Sequence, residues 1–227
     1  MKKLILTALL GVSSSLFATI IQHTGVDSAR GMSIEIKTDG AVHQVTAGVG
    51  VLRIDGSSYF DAFCVNLFQG ITLYQNYEAV TVSASAFDAD GGAAAWIVQH
   101  FLPVVNAAAG STRQVDGAAL QLAIWDIIHD GGDGFAAGRV RASSNTNSSV
   151  LAVANEWRLA SLDQHGAANV FIPAPDTRSF QQQLYVPACA MGGDCGTSGV
   201  PEPGTMAMLA VGGAAVLFGA SRSREAR

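Results

Sequence analysis

Two residues in this chain have side chains whose types can do chemistry, one as a nucleophile and one as an acyl donor. Cys64 lies in "YFDAFCVNLF" and Gln121 in "AALQLAIWDIIHD". A thiolate that attacks a carboxamide carbonyl forms a thioester and expels ammonia. An amide is a poor acyl donor, so the fold must hold sulfur and carbon together. Such positioning supplies roughly 7–11 kcal/mol. The thiolate is the reacting form, so a local base or dipole is needed. The setting of Gln121 adds to the case. On a helix, positions 121, 124, 125 and 128 share a face, which puts the amide beside Ile124, Trp125 and Ile128. A buried amide without partners costs about 1–3 kcal/mol. A shielded acyl donor would need that dry setting, and Phe63, Tyr59, Trp125 and Trp96 are the aromatic candidates for the shield.

Elements must bring the pair together. From Thr19 to about Ala86 the pattern is β-rich. "MSIEIKTDG" alternates and ends on an Asp39-Gly40 turn signal. "AVHQVTAGVGVLRIDG", "YFDAFCVNLF" and "YEAVTVSAS" are further strands. The period then changes. "DGGAAAWIVQHFLPVVNAAAG" reads as a helix that Pro103 bends or stops. "RQVDGAALQLAIWDIIHDGG" reads as a second, stopped by glycines. "SSVLAVANEWRLASLDQHG" reads as a third, with serine caps and an end at Gly166. Strands return in "NVFIPAP" and "RSFQQQLYVPA". The expected class is α+β: a β-rich, sandwich- or barrel-like domain over residues 19–190 with a helical insertion.

The composition is 49% hydrophobic and 14% charged, which suits a folded core. The net charge of −5 gives no reason to expect nucleic acid. The five histidines are scattered and form no HExxH or cysteine–histidine spacing, so neither metal nor cofactor is expected. His100 or His129 could activate Cys64 in a cysteine hydrolase. "HDGGDG" and "DADGG" lack a calcium loop's distal Glu and read as turns. Cys189 and Cys195 stand in "ACAMGGDC", where a small-loop disulfide is sterically easy. Cys64 is then a buried free thiol, or it pairs with one of the late cysteines.

Phe63-Cys64-Val65, followed later by Leu120-Gln121-Leu122-Ala123-Ile124-Trp125, resembles the thioester domain of bacterial surface adhesins. In place of the Thr often found before the family's Gln, Leu120 stands here. The resemblance implies that Cys64 supplies the sulfur and Gln121 the acyl carbon of an internal thioester. An amine on a surface or matrix partner would then attack Gln121 and release the thiol. This is single-use covalent binding, not turnover. The alternative is a noncovalent structural or exopolysaccharide-associated protein with the same fold.

The ends carry export signals. Lys2, Lys3 and the apolar residues 4–12 form a secretory signal peptide over residues 1–18, for removal by signal peptidase after Ala18 or Ser15. Residues 191–200 form a glycine-rich linker. Pro201, Glu202 and Pro203 follow, then an apolar single span over residues 205–220, then Arg222, Arg224 and Arg227. The span is shorter than the ~20 residues a membrane helix usually needs. The arginines would stay cytoplasmic and leave the domain outside. This order resembles the PEP-CTERM protein-sorting signal of Gram-negative bacteria. It implies an inner-membrane intermediate, an exosortase-type membrane peptidase as partner, and delivery to the cell surface or extracellular matrix.

Overall fold

The alternating segments pair into one antiparallel sheet that runs back onto itself. The computed structural model describes residues 18–56 and 58–186. The described residues belong to one unit, Phe17–Gly193. The signal peptide, Cys189 and Cys195, the linker and the sorting segment lie outside them. Among the described residues, no helix is long and apolar enough to cross a membrane.

The strands are β1 (Thr19–Thr38), β2 (Ala41–Ile54), β3 (Ser58–Cys64), β4 (Asn76–Ser83), β5 (Val140–Ala142), β6 (Asn169–Pro173) and β7 (Gln183–Tyr185). Their order is β2-β3-β7-β6-β4-β1-β5, with a further β2–β1 pairing. Six strands therefore close a ring, and β5 adds to the far end of β1. Asp39 and Gly40 both take positive φ between Thr38 and Ala41, the two-residue hairpin that the Asp-Gly signal announces. β1 carries two register shifts, after His23 and after Val26. Such bulges re-aim side chains.

Among the described residues, all the helices fall between β4 and β6. They are α1 (Ala84–Phe87), α2 (Gly91–Ala107), α3 (Gly110–Asp130) and α4 (Ser148–Ser161). Pro103 does not stop α2, which runs on to Ala107. α4 is capped by Asn147 rather than by a serine: its side chain accepts from the N–H groups of Ser149 and Val150. It also ends at Ser161, short of Gly166. β5 carries no alternation long enough to announce itself.

Two cores result. Ile21, Leu52, Ala62, Tyr77, Ala79, Phe171 and Phe180 form one; all but Phe180, from the β6–β7 connection, come from five of the ring strands, and they fill its inside. The larger core lies between the outer face of the sheet and the helices. α3 is its centre and is buried on all sides from Asp116 to Ile127. This explains why its sequence is apolar nearly throughout and not amphipathic.

Candidate functional site

β3 places Cys64 at its last position, where the ladder to β2 has already ended at the Gly50–Ala62 pair. The Cys64 main chain on that side therefore lacks a strand partner. Gln121 supplies one. The Cys64 N–H donates to Gln121 Oε1 at 3.0 Å, and Gln121 Nε2 donates to the Cys64 carbonyl at 2.8 Å. The carboxamide thus continues the ladder in place of a strand. Its acyl carbon lies no more than about 4.2 Å from the Cys64 nitrogen, given a ~1.2 Å carbonyl bond. Gln121 is only 2% exposed, so both bonds are largely shielded from water.

By strand alternation the Cys64 side chain lies on the Ala62 face of β3, and at the strand's end it packs against the helix-side core and opens on a cavity of about 360 Å³ at the ring's mouth. Barrel mouths are common ligand sites. His23, Gly48, Gly50, Gln121, Trp125 and Gln183 are among its lining residues. Among the described residues, no aspartate, glutamate, lysine or arginine lines it. Cys64 is a half-buried free thiol. Burial pushes that thiol up to about 12, while the Trp125 indole N–H and the Asn66 backbone N–H pull the other way. Trp125 Nε1 is buried without a hydrogen-bond partner of good geometry and faces the sulfur. It is therefore placed to receive charge that develops on sulfur.

His23 reaches this mouth because β1 bulges directly after it. A Cβ at position 50 would come within 2.9 Å of His23 Nε2, so Gly50 makes room for the ring. The Gly25 N–H donates to His23 Nδ1 at 3.2 Å. This bond assigns the proton of the neutral ring to Nε2, which makes His23 a donor in the mouth. The ring is 6% exposed, and burial lowers its pKa to about 4. A folded pKa below the ordinary 6.5 contributes stability that is complete above pH ~6.5 and lost as pH falls toward 4, by about 3 kcal/mol. Thermal melts should therefore fall more steeply between pH 6.5 and 4 for the parent than for His23→Gln. Parallel curves would show that the ring is not held neutral.

The other expected residues are placed differently. Trp125 lines the mouth. Phe63, adjacent to Cys64, points to the opposite face and is fully buried against the helices. Tyr59 is 66% exposed near the start of β3. Trp96 stacks on His100 along α2 and does not line the mouth. His100 Nδ1 contacts the Trp96 carbonyl at 2.9 Å, and His129 Nε2 accepts from the Leu67 N–H at 3.3 Å. Neither ring lines the mouth. His23, Gln181 and Gln183 do, and the sequence reading did not select them. A legible signal was present in "GVGV": glycines two apart on a strand leave one face without side chains.

The "HDGGDG" segment forms a bracket at the end of α3. The Asp126, Asp130 and Asp133 carboxylates come within 4.8 Å of one another. Asp126 accepts from the Gly134 N–H and faces Arg158 at 3.6 Å, while Asp130 accepts from the N–H groups of Arg139 and Val140. Burial raises the Asp126 carboxyl to about 7 against the pull of Arg158.

Comparison with known families identifies one segment. Residues 199–224 match the PEP-CTERM protein-sorting motif. The match covers Pro201, Glu202 and Pro203 together with Arg222 and Arg224. No curated protein matches the chain. The motif implies exosortase as processing partner and export to the envelope or surface of a Gram-negative bacterium.

Proposed function

We propose that this exosortase-sorted protein carries an internal Cys64–Gln121 thioester and uses it for single covalent attachment to an amine on a surface or matrix partner. The observation that carries this reading is the reciprocal pair of hydrogen bonds between the Gln121 carboxamide and the Cys64 main chain. Their chemistry fits the forming step. The Cys64 N–H already points at Gln121 Oε1, where negative charge builds when sulfur adds to the carbonyl. Cys64 loses its thiol proton, the C–S bond forms, the C–N bond breaks, and ammonia leaves with that proton. The raised thiol pKa opposes the first event, so the N–H donors around sulfur and the enforced proximity must offset it. The product is neutral and tolerates burial better than a thiolate does.

A second reading rests on the same bonds. The intact carboxamide already satisfies both Cys64 main-chain groups, which is enough to explain a buried glutamine in a noncovalent structural or exopolysaccharide-associated protein. Amine labelling separates the two. Incubation with methylamine should place the amine on the peptide that contains Gln121 and free Cys64 for alkylation. A Gln121 peptide that stays unmodified while Cys64 is alkylated beforehand would support the noncovalent protein. A cysteine hydrolase fits less well, because the mouth's histidine offers a donor where that chemistry needs an acceptor.

A further inference from the structure

A second buried glutamine at the mouth has no structural account of this kind. Gln183 is fully buried and sits directly across from Cys64 in the β3–β7 pairing. The Val65 N–H donates to the Gln182 carbonyl at 3.1 Å, so Cys64 and Gln183 form a non-hydrogen-bonded pair. Side chains approach most closely in such pairs. Gln183 Nε2 donates to the Gln181 carbonyl at 3.2 Å. A backbone carbonyl only accepts, which fixes the amide's orientation. Gln183 Oε1 is then an acceptor without a partner, in a residue that lines the mouth beside the sulfur. A buried acceptor left unpaired is unfavourable unless something donates to it. Among the described residues the mouth holds no formal charge to attract a hydrated ammonium: they line it without a charged side chain, and His23 is neutral.

We propose that Gln183 is the positioning residue for the nucleophile: its Oε1 accepts an N–H from an incoming neutral primary amine and holds the nitrogen over the Gln121 acyl carbon. The inference rests on the thioester reading above. In the step, the amine nitrogen adds to the acyl carbon, the C–N bond forms and the C–S bond breaks. The electron pair leaves on the Cys64 sulfur, and the proton lost by nitrogen ends on that sulfur. The amine enters unprotonated, and a partner's lysine side chain is the class that fits.

The test uses the full-length chain, methylamine as one probe and ethanethiol as the other. An ethanethiolate carries no proton on its attacking atom, so it cannot use the acceptor. In Gln183→Met, a similar linear side chain without the acceptor, the thioester mass loss of about one ammonia should persist. The methylamine rate should fall about tenfold while the ethanethiolate exchange rate stays unchanged. Gln183→Glu keeps an acceptor and should restore the amine rate, and it serves alone if the Met variant does not fold. Equal slowing of both probes in Gln183→Met, no slowing of either, or a Gln183→Glu protein that forms the thioester but reacts with methylamine tenfold more slowly than the parent would each overturn the assignment. A parent protein of full mass would remove the thioester itself, a failure distinct from these.

Discussion

Gln121→Leu should abolish methylamine labelling and also lower the unfolding free energy by roughly 2–4 kcal/mol, because the Cys64 N–H loses its acceptor and the thioester cross-link between α3 and β3 no longer forms. Leucine keeps most of the volume on the buried face of α3, so the loss measures the missing acceptor and cross-link and not a cavity. Gln121→Glu separates structure from chemistry. It keeps an acceptor for the Cys64 N–H but gives the thiol no amide to attack. Its labelling should be absent, as in the leucine variant. Denaturant titration of the three proteins checks the stability order. Equal stability of parent and leucine variant would mean that the bracket between α3 and β3 holds nothing in place.

Gly117→Ala should destabilise the protein by about 3 kcal/mol or more, although alanine favours a helix interior over glycine by about 1 kcal/mol. The reversed sign follows from one close approach. A Cβ at position 117 would lie 2.0 Å from the Arg30 carbonyl oxygen and 2.6 Å from its carbon, both backbone atoms. β1 cannot easily withdraw. Arg30 is tied to Asp27 at 2.8 Å and to Asp61 of β3 at 2.5 Å. The strain should therefore move α3, and Gln121 lies one turn further along the same helix. Labelling should fall with stability in this variant, even though it touches neither reacting residue. A Gly117→Ala protein as stable as its parent, or more so, would show that α3 and β1 do not meet as described.

The pair at the heart of the site was legible because its residues break local rules. Gln121 is polar on an all-buried helix, and Cys64 follows an aromatic in a strand that ends early. The Asp39-Gly40 hairpin and the change from strand to helix period were legible for the same reason: they are written in neighbouring residues. The rest of the mouth was not. Gln183 faces Cys64 only through the β3–β7 pairing, over a separation of more than a hundred residues. His23 is aimed by a bulge whose register shift depends on β2. Both are long-range consequences of ring closure, which no local period encodes. Phe63 and Tyr59 face away from the Cys64 side chain by strand alternation, since both lie an odd number of positions from it.

The central claim concerns one covalent bond, and the intact mass of the purified full-length chain tests it most directly. The account predicts a mass about 17 Da below the sequence value, corresponding to one lost ammonia, in the parent protein alone. The loss should vanish in Cys64→Ala and in Gln121→Ala. A parent protein at full sequence mass, with its Cys64 thiol open to alkylation, would contradict the account.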